Sequence, residues 1–122
     1  MKIRIKGNAV RLRLSKPDVA KLDETGCVEE QTSFGKNKLF YALQVVEDGN
    51  ELSATFDAGK ITVFIPKQLS KGWRVNDTVG FDSKMNLAET DSLYLLVEKD
   101  FICIDESMEN QEDNYEHPTK IC

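Results

Sequence analysis

Histidine is nearly missing from this chain: among 122 residues only His117 carries an imidazole. That removes multi-histidine metal sites and most histidine-based acid–base catalysis. The three cysteines, Cys27, Cys103 and Cys122, form neither an even set nor a Cys-x-x-Cys pair. With no secretory leader, such usage fits reduced thiols and a cytoplasmic location, not a disulfide framework. No stretch approaches the roughly 18 apolar residues of a membrane span. Met1–Leu14 alternates charged with aliphatic residues, which a signal peptide does not do. Phosphate-cradling loops are absent too: Gly35-Lys36 and Gly59-Lys60 lack the flanking glycines. The densest run of carboxylates is near the C-terminus, where solvation disfavours a catalytic pair, so an enzyme is not the leading expectation.

Acids are missing from the first 16 residues, which hold six cations: Lys2, Arg4, Lys6, Arg11, Arg13 and Lys16. The net charge is nevertheless −5. Asp105, Glu106, Glu109, Glu112, Asp113 and Glu116 crowd the other end, opposed there only by Lys120. A basic head suits an anionic partner, and an acidic tail suits solvation or interaction. The plainer reading is that head and tail neutralise each other or face water.

What the sequence does have is alternation. Ile3 and Ile5 alternate with Lys2, Arg4 and Lys6; Gly7-Asn8 is a two-residue turn signal; Val10, Leu12 and Leu14 then alternate with Arg11 and Arg13. The hairpin so formed pairs Lys6 with Ala9, Ile5 with Val10, Arg4 with Arg11 and Lys2 with Arg13. One face is aliphatic and the other a block of like charges, which repel unless something negative lies over them. Ser15, Pro17 and Asp18 form a capping box with proline in the first turn, and Leu14 with Val19 a hydrophobic staple, predicting a helix over Lys16–Thr25 closed by Gly26.

Further strands are expected at Cys27–Phe34, Leu39–Val46, Leu52–Phe56, Ile61–Ile65, Thr78–Ser83 and Ser92–Phe101, with a short helix at Pro66–Lys71 closed by Gly72. Leu39–Val46 is apolar on both faces and reads as central. The expected fold is α+β: mainly antiparallel, about eight strands, barrel-like, with two short helices. Residues 1–103 form one compact domain. Residues 104–122 are expected as an irregular acidic tail with little regular structure and no core of its own.

Two segments echo each other about 50 residues apart: Val10–Gly26 (VRLRLSKPDVAKLDETG) and Ile61–Gly80 (ITVFIPKQLSKGWRVNDTVG). Each is a strand, a Ser or Pro followed by Lys, a short helix, a polar turn and a new strand. Through Ile65-Pro66-Lys67-Gln68-Leu69, Val75-Asn76-Asp77-Thr78-Val79 and Gly7-Asn8-Ala9-Val10-Arg11-Leu12, the chain resembles the swapped-hairpin transcription-factor and antitoxin domains. That resemblance implies a basic hairpin on DNA and an acidic tail on a toxin. A double-barrel fold of two such units, without a DNA role, fits the same echo. More extensively, through Met1–Leu14, Tyr41-Ala42-Leu43 and Cys103 with the acids after it, the chain resembles a small family of uncharacterised bacterial proteins.

Three chemistries compete. The leading one is a non-enzymatic module binding nucleic acid or another anionic partner, with Arg4, Arg11 and Arg13 on phosphates and Lys2, Lys6 and Lys16 adding charge. The second is a metal site on Cys103, His117 and Cys122, a thiolate–imidazole set suited to zinc, with Asp113, Glu116 or Cys27 as fourth ligand. The third is a barrel pocket for a small phosphorylated or acidic ligand, whether bound or turned over. A Cys103–His117 nucleophile pair has no local signature to support it. Trp73 is expected as a core plug rather than a stacking surface. No membrane partner is expected, and self-association is compatible with everything above.

Overall fold

The computed structural model describes residues 1–101. Eight strands and two helices follow in the order β1 (Lys2–Lys6), β2 (Ala9–Leu14), α1 (Lys16–Thr25), β3 (Cys27–Ser33), β4 (Lys38–Val46), β5 (Ser53–Asp57), β6 (Lys60–Pro66), α2 (Lys67–Ser70), β7 (Gly80–Ala88) and β8 (Asp91–Lys99).

The strands do not close into a barrel. They form two four-stranded sheets, ordered β1-β2-β8-β7 and β3-β4-β6-β5. Nor is the pairing wholly antiparallel: each sheet joins two antiparallel hairpins through a parallel central pair, β2 with β8 and β4 with β6. Nearest-neighbour alternation specifies hairpins, but says nothing of which hairpin lies beside which, and so the barrel-like expectation is met only in part.

The first hairpin takes the expected register, Lys2 opposite Arg13 through Lys6 opposite Ala9. Helix α1 begins and ends as its sequence dictates. The Asp18 N–H donates to the Ser15 hydroxyl, and the Ser15 N–H donates to the Asp18 carboxylate at 2.9 Å. Gly26 closes the helix at φ 82°, a left-handed conformation costly for a residue with a β-carbon, and its N–H reaches the Leu22 carbonyl. Leu14 and Val19, the two ends of the staple, are both buried. The residue before Lys67 is Pro66, so α2 is a single turn begun by a residue that has no N–H to leave unpaired.

The echo is a topological fact. The unit β1-β2-α1-β3-β4 recurs as β5-β6-α2-β7-β8. Each sheet takes one hairpin from either unit. Registers match in detail: Lys2–Arg13 recurs as Ser53–Phe64, and Val28–Leu43 as Phe81–Val97. Isolated backbone bonds recur as well. The Phe40 N–H donates to the Gly59 carbonyl as the Tyr94 N–H does to that of Asn8, both at 3.0 Å. The Val45 N–H donates to the Gly26 carbonyl as the Lys99 N–H does to that of Val79, both at 2.8 Å.

The inner faces supply one core. Leu12, Leu14, Leu95 and Val97 from the first sheet meet Val28, Leu43, Val63 and Ile65 from the second, with Val19 and Leu22 of α1. Trp73 is 1% exposed, donates its indole N–H to the Thr78 carbonyl at 2.8 Å and meets Phe81 edge to face, so it is a core plug.

Candidate functional site

The cations of β1 and β2 lie on the outer face of the first sheet, opposite the aliphatic face that packs into the core. Parallel pairing of β2 with β8 and antiparallel pairing of β8 with β7 extend that face across four strands in three rows. At the open end of the sheet stand Lys2, Arg13, Glu98 and Gly80. In the middle stand Arg4, Arg11, Leu96 and Asp82. Nearest the turns stand Lys6, Ala9, Tyr94 and Lys84. Lys16 opens α1 and belongs to none of the rows.

The counter-charge that the hairpin requires comes partly from within. Glu98 holds Arg13 at 2.8 Å and stands 3.6 Å from Arg11. Asp100 holds Lys2 at 2.9 Å. These acids sit at the open-end row. Arg4, Lys6, Lys16 and Lys84 have no ion-pair partner among the described residues, and Arg4, Lys6 and Lys84 occupy the middle and turn-end rows. The face is therefore graded: neutralised at one end, positive at the other.

Tyr94 was not anticipated as part of this face. It lies on β8 between Ala9 and Lys84, 42% exposed, with its hydroxyl donating to the Asp82 carboxylate at 2.8 Å. That hydrogen bond, chiefly, raises the phenol pKa above 10.0. The alternation of Leu93, Leu95 and Val97 does mark Tyr94 as outward; what the sequence hides is that β8 lies beside the cationic β2.

The equivalent hairpin in the other unit has lost this character. Where β1 and β2 carry Lys2, Arg4, Lys6, Arg11 and Arg13, β5 and β6 carry Ser53, Thr55, Asp57, Thr62 and Phe64. Lys60 there is taken by Glu29 at 2.9 Å. Two backbones of the same design thus present one cationic and one near-neutral surface.

A second feature is an open depression of about 480 Å³ lined by Asn50, Glu51, Leu69 and Gly80–Lys84. None of the six N-terminal cations lines it, so it does not unite arginines and carboxylates as the small-ligand reading requires. Among the described residues no group of three or more His, Cys, Asp or Glu is placed to hold a metal ion. Cys27 is a half-buried free thiol. Cys103, His117, Cys122 and the acidic tail lie outside the described residues.

One family model, described as a family of unknown function, DUF7009, matches residues 1–119. The chain belongs to that family. No curated protein and no solved structure matches this DUF7009 chain. Among its described residues no helix is long and apolar enough to cross a membrane.

Proposed function

We propose that this DUF7009 protein is a non-enzymatic binding module of the bacterial cytoplasm, and that the outer face of its first sheet takes a nucleic acid. One observation carries the reading: Arg4 and Lys6 project from the cationic hairpin without an acid partner among the described residues, while the equivalent hairpin carries threonine and aspartate at the same positions. Cations needed only for the fold would be neutralised like Arg13; these are left for something outside. The likeness of the Gly7–Leu12 and Ile65–Val79 stretches to swapped-hairpin transcription factors supports the same choice. The roles within the six differ: Arg4 and Lys6 contact phosphate, Lys16 adds charge from the helix, and Lys2, Arg11 and Arg13 contribute once their carboxylates yield them.

The test is a titration of labelled oligonucleotides at several salt concentrations with the full chain and with the Arg4→Gln/Lys6→Gln double variant. Three neutralised phosphates give a log–log salt slope of about −2.7 on duplex and about −2 on a single strand. The double variant binds more weakly and flattens the slope, with an unchanged circular dichroism spectrum. Absence of binding at low salt by the wild-type chain sinks the proposal.

A further inference from the structure

We infer that the turn-end half of this face, centred on Tyr94, is a stacking platform for single-stranded nucleic acid, with Arg4, Lys6 and Lys84 as its phosphate contacts; this rests on the nucleic-acid reading above and narrows it to one kind of strand.

Three observations lead there. The first is the position of the ring. Tyr94 stands on a central strand of a four-stranded sheet, and its neighbour on β2 is Ala9, whose methyl group leaves the ring uncovered on that side. A sheet face with an exposed aromatic among cations is how several folds hold unpaired bases, because every base has a π-face and a phosphate follows it. The second is the charge around the ring. Adjacent strands lie about 4.8 Å apart, so Lys84 is one strand from Tyr94 and Lys6 about two strands away on the other side. Cations therefore flank the ring in both directions along one row, with Arg11 and Arg4 in the next row. The third is where the acids lie. Glu98 and Asp100 stand at the open end, beyond the middle row; Asp82, in the middle row, keeps its negative charge while it holds the Tyr94 hydroxyl, and Glu89 and Asp91 lie at the β7–β8 turn. A strand crossing the sheet along the turn-end row meets Lys6 and Lys84 and stays clear of Glu98 and Asp100.

A duplex gains less from this surface. Its base faces are already stacked on one another, so a tyrosine reaches them only by wedging a step apart, which costs unstacking energy. The Asp82 bond also fixes the ring's orientation before any ligand arrives, which lowers the ordering cost of stacking.

The experiment compares three probes of the same length, about ten nucleotides, matching the span of sheet-type sites, namely a single strand, its duplex and an abasic strand with the same phosphates, with free mononucleotide as a fourth. Titrations use the full chain as wild type, Tyr94→Leu, Tyr94→Phe and Arg4→Gln. We expect the single strand to bind more tightly than the duplex and the abasic strand more weakly than either base-bearing form. Tyr94→Leu loses about tenfold on the base-bearing single strand and little on the abasic one; Tyr94→Phe, which keeps the ring, stays near wild type. Arg4→Gln weakens all three polymers alike. Equal or tighter binding of duplex, or a Tyr94→Leu variant that matches wild type on the single strand, overturns the platform while leaving the charge-based reading standing. Mononucleotide bound as tightly as the strand also overturns it, in favour of a small-ligand site. No binding of any polymer at low salt removes both readings together.

Discussion

Gly80 stands directly across from Glu98 with no room for a side chain between them. A β-carbon on Gly80 would lie 2.7 Å from Glu98 Cβ and 2.8 Å from its Cα, and closer still to the Val97 carbonyl. The glycine is what lets β7 begin against the residue that anchors Arg13. Gly80→Ala forces the strands apart and costs about 1–3 kcal/mol, as overpacking does. A fall in the urea midpoint with an unchanged m-value is the expected readout; an unaltered midpoint would show that the start of β7 moves freely.

Glu98 holds back two cations of the outer face, Arg11 and Arg13. Glu98→Gln releases Arg11 and Arg13 together. Because the three side chains are partly solvated, the stability change stays within about 1 kcal/mol. Oligonucleotide affinity rises, and the salt slope on duplex steepens by about 1–2 as two more guanidinium groups reach phosphate. Titration of this variant beside Arg4→Gln/Lys6→Gln separates cations held back from cations already available.

Asp18 links the start of the chain to the first helix. Its carboxylate accepts from Ser15 and lies 2.9 Å from the Met1 ammonium, which Glu30 also approaches at 3.0 Å. Partial burial pushes the Asp18 pKa up, but the Ser15 hydrogen bonds and the ammonium outweigh it, leaving it below 3.8. A depressed carboxylate stabilises the fold above its unfolded pKa, and that stability is lost as pH falls through the folded value. The ammonium is the mirror case: burial lowers its pKa, the two carboxylates more than reverse this, and it ends above 8.0. Its share is present below 8.0 and fades as pH rises through the folded value. Asp18→Asn therefore flattens both flanks of a stability–pH profile measured by denaturation. Asp18→Ala also removes the acceptor for the Ser15 N–H, although the Ser15 hydroxyl still accepts from the residue-18 N–H, and costs about 0.5–1.5 kcal/mol at neutral pH.

The two units depend on each other. Both parallel pairs run between units, β2 with β8 and β4 with β6. A fragment ending in the Glu47–Glu51 turn keeps its hairpins and loses the central pair of both sheets. Each fragment alone should lack a near-ultraviolet signal, and mixing the two should restore it in one-to-one stoichiometry. Folding of either fragment as a monomer would contradict the interlocked topology.

Trp73 offers an internal probe of that docking. Its burial and its bond to the Thr78 carbonyl predict a blue-shifted emission that moves red on unfolding. Trp73→Ala costs about 3–5 kcal/mol, whereas an exposed stacking tryptophan would cost almost nothing.

Much of the fold was legible because its signals are local. The capping box at Ser15 and Asp18, the Gly7-Asn8 turn and the alternation of β1 and β2 each specify a few neighbouring residues. From the sequence β7 ends at Ser83, although the strand runs to Ala88, because Ser83 breaks the apolar alternation of Phe81, Met85 and Leu87, and Lys84 and Asn86 have low strand propensity. Non-local facts were not legible. Ile5 and Phe56, equivalent in the two units, alternate like core residues yet are 55% and 72% exposed, since the turn ends of the sheets extend past the packed region. The cations of the candidate site were found from composition, but Tyr94 and Lys84 join them only through strand pairs separated by most of the chain.

The duplicated architecture also has a handed consequence. When two identical chains build such a pair of sheets, whatever one surface carries the other must carry too, and the particle looks the same after a half-turn. Here the turn that brings Lys6 onto Asp57 exchanges a positive charge for a negative one. A single gene product has thereby gained a front and a back. A polymer whose two ends differ chemically can be laid across such a body in two ways that are not equivalent, and only one can put its leading end where the cations stand.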